Sequence, residues 1–446
     1  MATDALNSAY ESVNSLSAVD SGWSLGKRVA FRFAFCYWVL YCLPEDGRVS
    51  LFSSFPYSDF AFRWYTWIWH KITPWVAQHL FHFSGSYVTY FATGSGDTAL
   101  DYVENFLFVV VAVFATVVWS IADRKRKEYG TLYAWLRVPL RLTLAATLLT
   151  YGFFKIIPTQ FQPPSVVQLL TETYGEASPM GILWTFMGAS MAYTIFAGLA
   201  EAGAGFLLLF RRTALLGSLA SAAVLLNVVM LNFCYDVPVK LYSANLLLMA
   251  IFLALPDASR LTNVFILNRP APRADLSKPW LPRKWMRVAA QVLMAAFFTS
   301  LIYMNISYEW HYLHPKGEGK PLPVYGAFRL NSLELNGVAA PSTDPPNPGW
   351  RLVVAERRFW VMEDAKGKRL YYQPRFDTKS DSLSLYSQET HSTVKLHYVQ
   401  PDPGHLVLTG QVAGEQVSAQ FTKIDDKSLV LTHRGFHWIN EYPFNR

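Results

Sequence analysis

Apolar and polar residues follow one another in long blocks over the first 306 residues of the chain. Seven apolar runs, separated by charged or Pro-rich segments, predict seven transmembrane helices. A helix needs about 20 apolar residues, each rising 1.5 Å, to cross the hydrocarbon core of a bilayer. The runs cover residues 29–43, 105–121, 138–157, 182–210, 213–234, 241–255 and 288–306.

Residues 58–84, between the first two runs, are rich in Trp, Phe and Tyr but too polar to span. Trp and Tyr favour the headgroup level, where the ring is apolar and its N–H or O–H stays hydrated. This region is therefore predicted to lie in the membrane interface. His70, His79 and His82 raise the alternative of a metal site, but no Asp, Glu or Cys completes a ligand set at suitable spacing, and no metal is predicted.

The pattern changes beyond residue 306. A hydrophilic linker, 307–320, leads to segments such as 392–399 and 415–422, in which polar and apolar residues alternate with period two. Gly- and Pro-containing turns separate these segments. About eight short strands are expected, which favours a small antiparallel barrel or sandwich over residues 321–446. The predicted fold class is a membrane all-α bundle followed by a soluble all-β domain.

The charges of the connecting segments predict an orientation. With the N-terminus inside, the inner segments carry 16 Lys and Arg and the outer loops before residue 307 carry 4. The positive-inside rule therefore places residues 1–22, predicted to be a disordered tail, in the cytoplasm of a bacterial cell. Seven spans over residues 23–306 then place the β-domain on the extracytoplasmic side of the inner membrane.

Composition excludes several classes of protein. The 446 residues are 52% hydrophobic and only 16% charged, well below the charged fraction of soluble domains. No basic block with interleaved aromatic residues is suited to nucleic acid. The three cysteines form neither a disulfide framework nor a zinc motif. The expected surroundings are a lipid bilayer and, for the β-domain, another membrane or envelope protein.

Glu201 is the only charge in the fourth apolar run, and small residues surround it. A carboxylate inside a membrane is costly unless it is neutral or paired. Counting residues from the inner ends of the helices puts Arg141 within reach of it, so a Glu201–Arg141 pair is predicted. The pair could line a polar pocket for a quinone headgroup or a proton, or it could lock two helices together. The same two alternatives, lining a ligand or bonding between helices, apply to the amides of Asn227, Asn232 and Asn245.

Lys155 lies at the outer end of the third apolar run. Together with Asp236, Glu172 and Glu176 it could form an outer-face site for an anion, or its side chain could extend outward to the headgroups. Arg32, in the first run, is expected to extend toward the cytoplasmic side instead of joining the pocket.

A set of charged and small residues in the third and fourth runs resembles a known family. The residues are Arg137, Arg141, Gly152, Lys155, Glu201 in a Gly/Ala-rich stretch, and the Arg211-Arg212 turn. They are similar to the DoxX family, whose four-helix unit would cover residues 131–256. The arrangement of the spans also resembles, more weakly, the membrane part of vitamin K-dependent carboxylase-like proteins. The DoxX resemblance implies a subunit of a thiosulfate:quinone-type oxidoreductase as one function, with a quinone as cofactor.

No complete catalytic set is evident in the sequence. The residues themselves favour a non-catalytic or accessory envelope protein whose outward β-domain binds a ligand or partner. The alternatives are the quinone-linked oxidoreductase subunit and a small-solute transporter.

Overall fold

The computed structural model of the protein describes residues 22–43, 58–91, 93–273, 281–313, 322–340, 350–356 and 359–444. Residues 1–21 of the predicted tail and 314–320 of the linker lie outside these ranges. The chain forms two compact units. One contains Met1–Ile157 and Phe196–Trp310, and the other contains Pro158–Ile195 and His311–Arg446.

The helices of the described ranges are numbered here in chain order. They are α1 Leu25–Tyr41, α2 Ser58–His79, α3 Ala99–Ala122, α4 Gly130–Ile156, α5 Val166–Thr171, α6 Pro179–Ala189, α7 Met191–Leu209, α8 Ala214–Cys234, α9 Lys240–Ala254, α10 Ala258–Phe265, α11 Lys284–Leu313 and α12 Val430–His433. Short 3₁₀ segments lie at Gly85–Val88, Leu255–Asp257 and Asp426–Ser428.

Six helical segments of the described chain are long and apolar enough to cross a membrane. They are α3, α4, α7, α8, the continuous stretch Lys240–Phe265, and Lys284–Tyr308 within α11. The prediction of a multi-pass membrane bundle is confirmed at this level. The first predicted run corresponds to α1, which has 17 residues and is about 26 Å long at 1.5 Å per residue.

The fourth apolar run, predicted as one long helix, is divided by the structure at Ser190. Helix α6 ends there, because the Ser190 backbone is extended (ψ 93°). The Thr194 hydroxyl donates to the carbonyl of Met187 across the break, over 2.6 Å. Only α7 therefore forms the fourth span. Hydropathy did not show the break, since both sides of Ser190 are equally apolar.

Helix α1 lies antiparallel along α3. Near the start of α1, the Arg28 guanidinium donates to the carbonyl of Arg126, over 2.9 Å. Toward its other end, the Tyr37 hydroxyl donates to Asn105 Oδ1, also over 2.9 Å. Helix α2 packs on α3 through an edge contact between Trp69 and Phe108, whose centroids are 4.9 Å apart. Its opposite face exposes the indole rings of Trp64, Trp67 and Trp75.

The second unit contains nine antiparallel strands among its described residues. They are β1 Gly326–Leu335, β2 Val338–Ala339, β3 Trp350–Ala355, β4 Trp360–Asp364, β5 Arg369–Asp377, β6 Ser382–Ser387, β7 Ser392–Asp402, β8 His405–Val412 and β9 Glu415–Lys423. Each long strand pairs with the next one along the chain, and β1 also pairs with β9. Eight strands therefore close into a barrel, with β2 as a short extension of β1. The β-domain prediction is confirmed, and the barrel is the correct one of its two forms.

Apolar side chains fill the barrel interior. Phe328, Trp360, Leu383, Leu406 and Phe421 are among the residues of this core, each no more than 1% exposed. An eight-stranded barrel is just wide enough for side chains to fill it. The interior is thus a packed core, and any partner must bind the outside or the rims.

One patch of the barrel's outer face is covered by the same unit. Val166, Val167 and Leu170 of α5 pack on apolar residues of β1, β3 and β4. The Val167 backbone N–H also donates to the Glu356 carboxylate, over 3.4 Å. In the same unit, Arg369 donates to Glu176 over 2.9 Å. Glu176 therefore pairs with a residue of the barrel.

Candidate functional site

Small residues bring the backbones of α4 and α7 into direct contact. A Cβ atom at Gly198 would lie 2.7 Å from the carbonyl oxygen of Gly152, and one at Gly152 would lie 2.8 Å from Ala202. Two turns further along, a Cβ at Gly205 would lie 3.1 Å from the carbonyl of Ala145. Small residues at such spacing allow membrane helices to approach closely. The two helices therefore cross antiparallel and without a gap.

The two charged residues at this crossing form an ion pair. Lys155 Nζ donates to Glu201 Oε2 over 2.8 Å. The Lys155 and Glu201 residues are only 7% and 5% exposed. The Lys155 ammonium also lies 5.7 Å from the centroid of the Tyr151 ring. Because the opposite charges are adjacent, the pair is neutral as a whole, which reduces the cost of placing either group in the bundle.

The predicted Glu201–Arg141 pair is wrong, since Glu201 pairs with Lys155. The contacts at Gly152 and Gly205 set the register of α4 against α7 and place Glu201 about level with Tyr151. At 1.5 Å per residue, Lys155 is about 6 Å from that level and Arg141 about 15 Å.

Side-chain direction adds to this difference in level. Side chains on a helix lean toward its N-terminus. Because α4 and α7 are antiparallel, Lys155 and Glu201 lean toward each other, whereas Arg141 leans away from Glu201. The predicted pair was based on counting residues from the helix ends. Such a count gives neither the register of α4 against α7 nor the direction in which the side chains lean.

Hydroxyl and aromatic groups lie on α4 and α9 near the ion pair. The Thr147 and Tyr242 hydroxyls are 3.4 Å apart. The rings of Tyr151 and Tyr242 have centroids 6.4 Å apart. The side of the pair that faces α9 is therefore polar and aromatic. Sequence reasoning missed Tyr151 and Tyr242, although Tyr151 lies four residues before Lys155 and hence on its helix face.

Two of the three predicted asparagines bond between helices. Asn245 Oδ1 lies within hydrogen-bond distance of the Tyr37 hydroxyl, and Asn245 Nδ2 donates to Asn105 Oδ1 over 3.4 Å, so Asn245 joins α9 to α1 and α3. Asn232 donates to the Ser243 hydroxyl over 3.0 Å and joins α8 to α9. Asn227 is exposed on the outside of α8 and does not join them.

The residues proposed for an outer anion site are not assembled around Lys155. Asp236 pairs with Lys240 over 2.8 Å and is largely exposed. Glu172 is exposed in the barrel unit, at the end of α5. Lys155 itself is buried against Glu201, so the prediction that its side chain extends outward is also wrong. A buried carboxylate within reach is a stronger partner than the headgroup region.

Arg32 forms a second buried polar centre. Its guanidinium donates to the Tyr129 hydroxyl over 2.7 Å, to the Ser120 hydroxyl over 2.8 Å and to the Asp123 carbonyl over 3.0 Å. It points to the end of the bundle where α3 meets α4, and that this end faces the cytoplasm stays a prediction. The arginine is 2% exposed, however, so protein groups and not headgroups satisfy it.

Comparison with known proteins gives one relationship. The chain is 34% identical over 127 residues to the uncharacterized protein YwoB of Bacillus subtilis (strain 168), a match covering 28% of this chain and 79% of YwoB. The chain belongs to the YwoB family. No protein-family model matches the chain, and no solved structure matches it. The YwoB relationship neither supports nor opposes the resemblance to DoxX.

Membership of the YwoB family assigns no ligand to this chain. The candidate site is therefore chosen from the geometry of its residues. Among the described residues, no three His, Cys, Asp or Glu side chains group as metal ligands do. Cys36, Cys42 and Cys234, all within the described ranges, form no disulfide. The best-defined centre is therefore the neutral Lys155–Glu201 pair at a closed helix crossing, flanked by Tyr151 and Tyr242.

Proposed function

We propose that the protein is a non-catalytic, accessory component of the bacterial cell envelope, in which the membrane bundle holds an outward-facing barrel that binds a partner. One observation carries this proposal. The Lys155 ammonium and the Glu201 carboxylate form an ion pair at the point where the backbones of α4 and α7 are in contact. A lysine engaged in this way joins two helices, and its ammonium is not available to bind another anion.

The barrel supports the binding role. Its interior is filled, which leaves its outer surface and the segment after α12 for contacts with another envelope protein. In that segment Phe436, Trp438, Ile439 and Tyr442 are each at least 77% exposed. Arg434 holds the segment in shape, since it donates to Asn440 over 2.7 Å. Exposed aromatic groups on a preformed segment are typical of interaction surfaces.

The proposal includes seven spans and the orientation given by the basic loops. Helix α1 supports the seventh span, because its contacts with α3 and the following turn run from Asn105 to Arg126. The helical part of this stretch, from Asn105 to the end of α3 at Ala122, is about 26 Å long, close to the roughly 30 Å thickness of the hydrocarbon core. An odd number of spans puts the N-terminus and the barrel on opposite sides, and the basic loops then favour the N-terminus inside and the barrel outside.

Complementation of a host strain that lacks the gene tests the accessory role. The variants are an apolar replacement of the pair, Lys155→Met with Glu201→Leu, and a chain that ends after α11. We expect the apolar pair to complement and the chain without the barrel to fail. If the apolar pair is folded and present in the membrane but does not complement, while the barrel is dispensable, the function lies in the membrane charges and the proposal is wrong.

A quinone-linked oxidoreductase subunit is the second candidate. The Tyr151 ring beside the ion pair favours it, together with Tyr242 next to Tyr151 and Thr147 next to Tyr242. Aromatic rings and hydroxyls are suited to hold a quinone ring. The test is quinone extraction from the purified protein, with a Tyr151→Phe, Tyr242→Phe variant beside it. Retention of about one quinone per chain, lost in the variant, would establish this candidate instead.

A further inference from the structure

Helix α8 carries a polar amide on its uncovered face. It is one of the segments long and apolar enough to cross a membrane. The middle of its 21 residues is Val224, so Asn227 lies about 4.5 Å from the midpoint of the span. The Asn227 residue is exposed, and its side chain makes no hydrogen bond to any part of the chain that the structure describes. An amide therefore faces outward at the depth of the hydrocarbon core.

The opposite face of α8 is occupied by the bundle. A Cβ atom at Gly217 would lie 2.7 Å from the backbone nitrogen of Leu208 in α7. Asn232 donates to the Ser243 hydroxyl of α9, and Leu225 is buried in the bundle core. The neighbouring helices of the same chain thus pack on one side of α8 and leave the side with Asn227 outside.

Other asparagines of the membrane helices show how a side-chain amide is satisfied in this protein. The Asn245 amide donates to the carbonyl of Leu241 over 3.0 Å, and the Asn305 amide donates to the carbonyl of Leu301 over 2.8 Å. Both bonds run four residues back along the same helix. Asn227 has no such bond among the described residues. Lipid tails offer neither donors nor acceptors, so an amide left among them is costly, and a partner from outside the chain is expected.

The residues around Asn227 form a continuous outward face. Its exposed members are Leu216, Ala223, Leu226, Asn227, Met230 and Phe233. Steps of three, four and seven residues are the spacing of the seam between two helices that cross at a small angle. Ala223 lies one turn before Asn227 and is small, which allows another helix to come close to the amide. Apolar residues alone would suit lipid equally well, and the amide makes the difference.

We propose that this face of α8 is a symmetric interface with α8 of a second copy of the chain, centred on Asn227. Two copies in one membrane have the same orientation, so their α8 helices are parallel and their twofold axis lies along the membrane normal. Each residue of the interface then meets itself at the same depth. A side-chain amide is both a donor and an acceptor. Asn227 of one copy donates to Oδ1 of the partner's Asn227, which supplies the missing bond.

Self-association of the full-length protein in liposomes tests the interface. Protein with an N-terminal fluorescent tag is reconstituted over a range of protein-to-lipid ratios, and the copies in each complex are counted from photobleaching steps. We expect dimers for the wild type. Asn227→Leu should raise the dissociation constant at least about tenfold. Asn227→Gln, which keeps the amide, should have a smaller effect.

A matched pair of alanine variants separates this face from other lipid-facing surfaces. Ala223→Leu adds bulk beside the amide and should weaken the dimer at least as much as Asn227→Leu. Ala200→Leu makes the same change at an exposed alanine in the middle of α7 and should leave the dimer unchanged. The unfolding temperature of monomeric Asn227→Leu should equal that of the wild type, because no hydrogen bond within the described chain is lost.

Oxidative cross-linking in native membranes tests the geometry. Met230→Cys, made in a Cys234→Ser background, lies one turn from Asn227 on the same face and should cross-link two copies when copper phenanthroline is added. Val113→Cys is the control, since Val113 is equally exposed in the middle of α3 and should not cross-link.

Several results would overturn the assignment. One is a wild-type protein that stays monomeric at every protein-to-lipid ratio. A second is a folded Asn227→Leu variant that dimerises as the wild type does, which would place the interface elsewhere. A third is cross-linking of Met230→Cys to a different protein instead of a second copy, which would make the partner of this face another membrane protein.

Discussion

Lys155 Nζ lies 2.8 Å from Glu201 Oε2, with both side chains less than a tenth exposed. The two residues come from antiparallel helices, and each leans toward the other along its own helix. A bond of this kind sets the position of α4 on α7 as firmly as the glycines that allow the helices to touch.

Breaking the ion pair should cost more than removing it. Lys155→Met or Glu201→Leu alone leaves a buried, uncompensated charge and should destabilise the protein by about 3–5 kcal/mol. The double variant should lie within about 1–2 kcal/mol of the wild type, because two apolar side chains replace two costly charges. Reversible unfolding in mixed detergent micelles measures all four proteins of this cycle.

The exposed pair Asp236–Lys240 is the control for that cycle. Asp236 is 82% exposed in its side chain, so Asp236→Asn should change stability by less than about 1 kcal/mol. Equal losses for Asp236→Asn and Glu201→Leu, or a double variant as unstable as the single ones, would contradict the structural role.

The helix contact itself predicts a difference between two glycines of α7. Gly198→Ala places a methyl group 2.7 Å from the Gly152 carbonyl oxygen, which belongs to the backbone and cannot turn aside. A loss of about 1–3 kcal/mol is expected from this overpacking. Gly203 has nothing within 4 Å of its Cβ position, so Gly203→Ala should be neutral or slightly stabilising. The measurement is the unfolding temperature of each variant. Equal unfolding temperatures would be incompatible with the close contact between α4 and α7.

Arg32 should be more important for folding than the other cations of its helix. Arg32→Leu removes the donors to Tyr129, Ser120 and the Asp123 carbonyl, and should cost at least about 2 kcal/mol. The control is Lys27→Gln, since Lys27 is exposed and only lies over the Trp23 ring at 4.6 Å. That change should cost less than about 1 kcal/mol. Thermal unfolding of both variants is the measurement.

The native cysteines provide a test of orientation. Cys234 is exposed at the end of α8, while Cys42 is buried and Cys36 half-buried. A membrane-impermeant maleimide added to spheroplasts should therefore label the wild type, and Cys234→Ser should abolish the labelling. In that background Arg212→Cys should react only after permeabilisation. Labelling of Arg212→Cys in intact spheroplasts would show that the orientation is the reverse of the proposed one.

The spans and the β-strands were predictable because they depend on local composition. Twenty apolar residues form a helix in a bilayer whatever their neighbours, and alternating residues form strands with one buried face. The break at Ser190 was not predictable, because α6 is as apolar as α7 and the extended Ser190 backbone is a feature of tertiary packing. The choice between barrel and sandwich likewise depended on whether β1 pairs with β9.

The site was predictable only as a set of residue types. Glu201, Lys155, Asn232 and Asn245 were identified because polar groups inside apolar runs are costly and must find partners. Which partners they find was not predictable. Lys155, assigned to the outer face, pairs with Glu201, and Arg141, assigned to Glu201, lies with Arg211.

The sequence by itself determined that this chain crosses a membrane several times, carries a β-domain, and buries at least one acid among small residues. These features depend on the hydropathy and size of residues that are neighbours along the chain, so they can be read from a single sequence. The tertiary structure alone decided that Lys155 pairs with Glu201 and that Arg141 lies near Arg211 instead. The reason is geometric: the register of antiparallel helices and the lean of their side chains exist only once α4 and α7 are packed together.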